Sequence, residues 1–116
     1  MKKLRVGIDI GGTNTKFGIV DRDGTIVTQG RMLTNAKETV QGFIEELYQH
    51  LYPMIEAAGG RDQFAGIGIG APNGNYYTGN IEHAANLKWK GIVPLAAMIQ
   101  ERFGMAVKLT NDANAA

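Results

Sequence analysis

The sequence predicts an α/β domain in which a three-stranded antiparallel meander precedes two helix–strand units. Residues 4–32 alternate apolar and polar positions between short turn signals, which is typical of half-buried strands. Residues 35–110 then alternate helical apolar spacing with short strand-like runs. Because a helix between two strands acts as a crossover, the strands that it joins are parallel. The expected order is βββαβαβ, in a five-stranded mixed sheet with covering helices.

The first three strands are predicted from alternation and turn residues. Leu4–Ile10 carries apolar residues at every second position, and a Gly-Gly-Thr turn separates it from a second strand at residues 16–20. The sequence Asp21–Gly24 indicates a hairpin, with Gly24 in a left-handed conformation. Residues 25–32 are the third predicted strand.

The first helix is predicted from an apolar stripe over residues 40–55. Asn35 is its expected N-cap, because Glu38, three residues later, fits a capping-box pattern. Pro53 is expected to kink or end this helix near Tyr52, since proline has no backbone N–H to donate.

Glycines distinguish the fourth strand, residues 64–70, because Gly66, Gly68 and Gly70 share one of its faces. A face without side chains allows another element or a ligand to approach the backbone closely. A short hairpin is expected around residues 76–81.

The last predicted elements are a second helix, a fifth strand and the start of a further helix. Pro94 suits the first turn of the second helix, and Gly104 suits its C-terminal end. The fifth strand is predicted at residues 106–110, and the further helix at residues 111–116.

Composition excludes several classes of protein. The chain of 116 residues suits one domain, and its net charge of +1 argues against nucleic acid or an anionic membrane as the main partner. The absence of cysteine excludes a disulfide scaffold and a thiolate metal site. No apolar run approaches the roughly 18–20 residues of a membrane span, and no signal peptide is recognisable. We therefore expect a cytoplasmic protein. The chain also has a surplus of glycine, 16 residues against about 8 at average usage.

Three places carry residues suited to chemistry, and the first follows the first strand. Gly11 and Gly12 make a tight turn whose N–H groups could hold phosphate oxygens, with the Thr13 hydroxyl and the Lys16 charge nearby. Asp9 could reach a metal ion through water. An ordinary glycine-rich hairpin is the alternative. The segment is neither a P-loop nor a dinucleotide fingerprint, because a strand follows it.

The other two places follow the fourth and fifth strands, at Gly70–Gly74 and Asn111–Asp112. Ligands of α/β sheets bind at the carboxyl ends of strands, where exposed amides of the first segment would lie. Asp112 could there accept a proton from a substrate hydroxyl, and Asn111 could bind neighbouring hydroxyls. The alternatives are a strand-ending turn for the first segment and a helix N-cap for the second.

Three further polar or aromatic residues are weaker candidates. His50 and His83 match no metal-binding spacing and are expected at the surface. Trp89, between two lysines, could stack on a sugar or anchor its loop, and the sequence leaves both interpretations open.

The predicted order is that of the ribonuclease-H-like fold, which is also the plan of the actin, Hsp70 and sugar-kinase ATPase domain. Within this plan, four stretches resemble, in family order, motifs of the ROK (repressor, open reading frame, kinase) sugar kinases. They are Asp-Ile-Gly-Gly-Thr-Asn at residues 9–14, Gly-Ile-Gly-Ile-Gly-Ala-Pro at 66–72, Ala-Asn-Leu-Lys-Trp at 85–89 and Asn-Asp-Ala-Asn-Ala-Ala at 111–116.

The resemblance implies ATP-dependent phosphorylation of a hexose, most often glucose at its 6-hydroxyl. It assigns Gly12, Thr13 and Asn14 to the ATP phosphates with Mg²⁺, and the cofactor site predicted at this turn also includes Asp9, Gly11 and Lys16. It assigns the sugar to a second group, Asn111, Asn73, Gly74 and Asn86, with Asp112 as the general base. The family usually has glycine at the position of Asn73, and Gly74 is the expected substitute.

The resemblance also implies a larger protein. Residues 1–116 correspond to the N-terminal small domain of a ROK kinase, and a C-terminal large domain would supply the adenosine pocket, a zinc site and further sugar ligands. We therefore expect the isolated chain to be inactive and the full-length protein to be a homodimer.

Two alternatives have other functions. One is a sugar-sensing ROK transcriptional regulator, although the eight residues before Asp9 leave no room for a DNA-binding module in this chain. The other is an actin- or Hsp70-like ATPase, which would lack the Asn-Leu-x-Trp and Asn-Asp-Ala-Asn segments.

Overall fold

A mixed sheet of five strands forms the centre of the structure, a computed structural model that describes residues 3–82, 89 and 91–111. In chain order the elements are β1 (Leu4–Ile10), β2 (Asn14–Asp21), β3 (Ile26–Leu33), α1 (Val40–Ala57), a 3₁₀ turn (Arg61–Gln63), β4 (Phe64–Ala71), β5 (Gly74–Asn75), β6 (Asn80–Glu82), β7 (Ile92–Val93), α2 (Leu95–Phe103) and β8 (Val107–Asn111).

The central sheet has the strand order β3-β2-β1-β4-β8. Strand β2 runs antiparallel to both β1 and β3, whereas β4 runs parallel to both β1 and β8. The connections through α1 and α2 are therefore crossovers, as the spacing of helices and strands predicts. The α/β class and the five-stranded mixed sheet are confirmed.

Both helices cover the same face of the central sheet and contact each other. Two right-handed crossovers that progress in one direction across a sheet place their helices on one side of it. The buried stripe of α1 packs on inward-facing strand residues such as Ile8, Phe17 and Ile69. Burial of this apolar surface is the main stabilising contribution to the fold.

The opposite face of the central sheet has glycines at its middle. Gly7 on β1 pairs with Gly18 on β2 and with Gly68 on β4, so three glycines form one row across three strands. A cavity of about 700 Å³ lies over this row, and Asp9 and Lys16 are among its lining residues. This face is thus unobstructed within the part of the chain that the structure describes.

A second, smaller sheet has the order β5-β6-β7 with antiparallel pairing. The hairpin of β5 and β6 occupies the stretch where the sequence predicts one, while β7 was not predicted. Trp89 is buried and lies 4.6 Å from Phe43 between ring centroids, which supports its interpretation as a loop anchor.

The predicted start of α1 is wrong. The helix begins at Val40 behind Thr39, whose hydroxyl accepts a hydrogen bond from the Gly42 N–H at 3.0 Å. Asn35 is not the N-cap, because its side chain donates to the carbonyl oxygen of Gly12 at 2.9 Å. A partner 23 positions away in the sequence therefore replaces the local capping contact.

The predicted end of α1 near Tyr52 is also wrong, because the helix continues through Pro53 to Ala57. Leu51 and Ile55, on either side of the proline, are both buried in the core. Pro53 itself is exposed, so water can satisfy the carbonyl group that loses its helical donor. Apolar packing on both sides of Pro53 thus outweighs one missing hydrogen bond. The end of α2 at Gly104 is as predicted.

An exposed ion pair connects the two helices. Arg102 on α2 donates to the carboxylate of Glu45 on α1 at 2.6 and 3.2 Å, and its guanidinium lies 3.7 Å from the centroid of the Tyr48 ring. These hydrogen bonds lower the pKa of the Glu45 carboxyl below its usual value.

Among the described residues, no helix is long and apolar enough to cross a membrane.

Candidate active site

Three of the sequence motifs lie along one edge of the central sheet. The register pairs Asp9 with Gly70, and Gly70 with Thr110, so the parallel strands β1, β4 and β8 end side by side. The turn at residues 11–13 follows β1, the segment at residues 72–73 follows β4, and Asn111 ends β8. This is the edge at which ligands of open α/β sheets bind.

The turn after β1 is closed by its own backbone. The Gly11 N–H donates to the Asn14 carbonyl oxygen at 2.9 Å. A Cβ atom added at Gly11 would lie 2.9 Å from that same oxygen, which is closer than real side chains approach. Gly11 is therefore required by the tightness of the turn, and Asn14 already belongs to β2.

The carbonyl groups of this turn are bonded to the segment that follows β3. The Thr34 hydroxyl donates to the Gly11 oxygen at 2.7 Å, and the Thr34 N–H donates to the Thr13 oxygen at 2.9 Å. The Asn35 side-chain amide donates to the Gly12 oxygen at 2.9 Å. Three consecutive carbonyl groups thus point toward residues 34–35.

Thr15 completes this arrangement, and neither Thr15 nor Thr34 has any exposed surface. Their hydroxyl oxygens lie 2.8 Å apart. Because the Thr34 proton is directed to the Gly11 carbonyl, Thr15 is the donor to Thr34. Neither residue is among the site residues that the sequence predicts. The available signal was Thr15 itself, a polar residue on the inward face that Phe17 and Ile19 share.

Because the carbonyl groups of the turn bond to residues 34–35, its N–H groups lie on the opposite side of the turn. Among the hydrogen bonds of the described residues, none takes the N–H of Gly12 or Thr13, and both residues are exposed. Successive unpaired backbone N–H groups on a tight turn form a concave site for an anion. The Thr13 hydroxyl adds a further possible donor. The geometry therefore fits the predicted phosphate contact at this turn.

Asp9 and Lys16 lie beside the turn, on the open face of the sheet. They are cross-strand partners on β1 and β2, and both are exposed. Within the described ranges, no group of three or more acidic or histidine side chains lies close enough together to hold a metal ion. Asp9 offers one exposed carboxylate beside the turn. A single carboxylate suits Mg²⁺, which keeps several waters and takes its other ligands from substrate phosphates.

Asn73 holds the segment after β4 in place through its hydrogen bonds. Asn73 has a left-handed backbone with φ of 56°, which asparagine tolerates better than most residues. Its side-chain amide donates to the Glu82 carbonyl oxygen at 3.0 Å, and the Glu82 N–H donates back to the Asn73 oxygen at 3.0 Å. The Asn73 amide nitrogen therefore closes the hairpin.

Gly74 brings this hairpin against the end of β8. A Cβ atom at Gly74 would lie 2.6 Å from the Thr110 carbonyl oxygen and 2.7 Å from the Leu109 Cδ2 atom. Only glycine allows this approach without displacement. Beside it, a cavity of about 510 Å³ is lined by residues of the hairpin and of β8: Asn73, Gly74, Asn75, Tyr76, Tyr77, Glu82 and Thr110.

Several predicted site residues are not described by the structure. Asp112, Asn86 and His83 lie outside the described residues, and Asn111 is described as the last position of β8. His50 is on α1, with its Nε2 atom 3.9 Å from Glu46 and its ring 5.3 Å from that of Phe17. It lies away from the sheet edge that carries the motifs.

Comparison with known proteins gives a family match over most of the chain. The model of the ROK family matches residues 5–116. A glucokinase of Thermotoga maritima is 34% identical over 120 residues, which cover 99% of this chain and 36% of the relative. A proposed xylose repressor of a Caldicellulosiruptor species is 34% identical over 114 residues, which cover 97% of this chain and 28% of the relative.

A solved structure shares the fold of this chain. It is a ROK family glucokinase from Streptomyces griseus in complex with glucose and AMPPNP, with a TM-score of 0.77 and 30% identity. The match covers 97% of this chain and 34% of that one. This chain thus spans about a third of the length of the relatives that it matches.

The buried threonine pair is the first testable feature of this site. We expect Thr34→Val to lower the free energy of unfolding by about 1–3 kcal/mol, because it leaves the Thr15 hydroxyl and the Gly11 carbonyl without a partner. Urea unfolding measures this change. The control Thr28→Val, on the neighbouring strand β3, removes a hydroxyl that bonds to none of the described residues, and it should cost less than about 0.5 kcal/mol. Equal effects of the two substitutions would contradict the assigned role.

The contact of Gly74 with β8 is the second testable feature of this site. Gly74→Ala should destabilise the protein by about 1–3 kcal/mol, because the new Cβ atom overlaps the Thr110 carbonyl. Gly68→Ala is the matched control, since a Cβ atom there meets nothing within 4 Å. Thermal unfolding of both variants checks the difference, and a Gly74→Ala variant as stable as Gly68→Ala would disprove the close contact.

Proposed function

The chain belongs to the ROK family, and from this membership we propose that it is part of an ATP-dependent sugar kinase. We infer a hexose as the substrate, with glucose phosphorylated at its 6-hydroxyl. The observation that carries the proposal is the sheet edge at which β1, β4 and β8 end together. An anion site, a polar cavity and the Asn111–Asp112 segment follow these three strand ends.

The phosphate side of the proposed reaction uses the turn after β1. The N–H groups of Gly12 and Thr13 bind phosphate oxygens of ATP, and Asn14 and Lys16 lie next to them. Asp9 would hold Mg²⁺ through water, and the bound ion would neutralise charge on the transferring phosphoryl group. The anchored carbonyls keep these N–H groups in place before the nucleotide arrives, so no reorganisation is needed when charge develops.

The sugar side uses the segments after β4 and β8. Asp112 accepts the proton of the attacking sugar hydroxyl, and Asn111 binds a neighbouring hydroxyl. Asn73, Gly74 and Asn86 line the sugar site. The close contact of Gly74 with β8 supports this arrangement, because it holds the hairpin next to the strand that leads into Asp112.

The proposal assigns this chain to the small domain of a longer protein. The rest of that protein supplies the adenosine pocket, a zinc site and further sugar ligands, and closure of the two domains excludes water from the reaction. We propose a cytoplasmic homodimer. The isolated chain is then inactive, since it holds half of the active site.

A second function, sugar sensing by a transcriptional regulator, is favoured by one observation. The xylose repressor relative is as similar in sequence as the Thermotoga glucokinase, at 34% identity for both. A regulator of this kind would bind sugar at the same cavity without transferring phosphate. A kinase assay on the full-length protein separates the two functions.

We expect Asp112→Ala to lower kcat by about 10²–10⁴-fold, the usual contribution of a general base. The measurement is ATP-dependent phosphorylation of a hexose panel by the full-length protein. Asp62→Ala, an exposed position in the 3₁₀ turn, is the control and should leave kcat unchanged. Near-normal turnover by Asp112→Ala would remove the proposed base. A wild-type protein that binds glucose but phosphorylates no sugar would favour the regulator.

A further inference from the structure

One face of the β5–β6 hairpin carries polar side chains. Asn75 pairs with Asn80, and Glu82 follows Asn80 by two positions, so all three side chains lie on the same face. Ile81, on the other face, is completely buried in the core. The polar face thus presents two carboxamides, which both donate to and accept from hydroxyls, and one carboxylate, which accepts from them.

The orientation of Asn75 is fixed by its turn. Its side-chain oxygen accepts hydrogen bonds from the N–H groups of Tyr77 at 2.9 Å and Thr78 at 3.3 Å. The side-chain nitrogen is consequently directed to Glu82, where it lies 3.3 and 3.4 Å from the two carboxylate oxygens. Exchanging the oxygen and nitrogen of this amide would break all four contacts, so the network itself assigns them.

The Glu82 carboxylate therefore has a fixed position and unused acceptor capacity. A carboxylate has about four lone-pair sites. Among the described residues, the Asn75 amide is the one hydrogen-bond donor to the Glu82 carboxylate. None of the described lysines or arginines forms a salt bridge with it. Its backbone is tied on both sides to Asn73.

The cavity beside Glu82 connects the hairpin to the end of β8. Glu82 and Thr110 line the same space of about 510 Å³, and Thr110 precedes Asp112 by two residues. Tyr76 and Tyr77 border it as well, and they are 54% and 94% exposed. Oriented acceptors next to exposed aromatic rings are suited to a polyhydroxylated ring, whose hydroxyls donate and whose carbon faces are apolar.

We propose that Glu82 is a sugar-binding residue that accepts a hydrogen bond from one hexose hydroxyl, and that it thereby helps to determine which sugar is bound. Asn75 is its positioning residue. This inference rests on the proposed kinase function. A site built to bond a hydroxyl discriminates strongly against the analogue that lacks it, because the protein group is then left unpaired.

The test is steady-state kinetics of the full-length protein with Glu82→Gln. Glutamine keeps an acceptor for Asn75 but loses the charge, so we expect the KM for glucose to rise about 10- to 100-fold, the loss of one charge-assisted hydrogen bond. The KM for ATP and the melting temperature should not change. Glu101→Gln, an exposed position on α2, is the matched control and should behave as wild type.

Deoxyglucose analogues separate binding from a merely structural role. In the wild type, removal of the hydroxyl that Glu82 binds should raise the KM strongly, and in Glu82→Gln that penalty should shrink for this one analogue. Equal KM increases for glucose and for every analogue would overturn the proposal, because they would indicate a distorted cavity rather than one lost hydrogen bond.

A second variant tests the positioning residue. Asn75→Asp keeps the acceptor oxygen for Tyr77 and Thr78 but places a second negative charge beside Glu82, so the KM for glucose should rise here too. Unchanged sugar KM values in both variants would overturn the inference while leaving the kinase function intact. A wild-type protein without sugar-dependent ATP turnover would overturn the proposed function as well.

Discussion

The hydroxyl of Thr34 is the point on which the geometry of the candidate site depends. It is completely buried, accepts from Thr15 and donates to the carbonyl of Gly11, so it fixes which side of the turn after β1 carries oxygens. The N–H groups of Gly12 and Thr13 are exposed as a consequence. A buried hydroxyl pair of this kind tolerates little change, because either partner alone would be an unpaired polar group in the core.

Four glycines of the central sheet and of the segments at its edge are there for two different physical reasons. Gly11 and Gly74 have no room for a Cβ atom, since a backbone oxygen lies 2.9 Å and 2.6 Å from where it would be. Gly7 and Gly68 have open space around them instead. The first kind brings backbone segments together at the proposed phosphate and sugar sites. The second kind leaves the middle of the open sheet face flat. No contact of the described residues requires glycine at these two positions.

Local patterns in the sequence were sufficient for most of the architecture. The alternation in Leu4–Ile10, the turn at Gly24 and the helix end at Gly104 depend on residues close together in the chain, and all three were predicted correctly. The parallel pairing of the later strands also followed, because helices that connect strands act as crossovers.

The failures involve contacts between residues distant in sequence. Asn35 fits a helix N-cap locally but bonds to Gly12 instead, and Pro53 fits a helix end locally but lies in a helix that core packing maintains on both sides. The candidate site was likewise predicted only in part. Its motifs could be located from residue type and spacing, whereas Thr15, Thr34 and the pairing of Asn75 with Glu82 required the folded chain.

The central claim is that the turn after β1 presents its N–H groups to phosphate. The most direct measurement is the amide NMR spectrum of the full-length protein during titration with AMPPNP and Mg²⁺. We predict that the resonances of Gly12 and Thr13 shift most among the residues of this domain, and that glucose alone leaves them in place. Binding of the nucleotide without a shift of these two resonances would contradict the account.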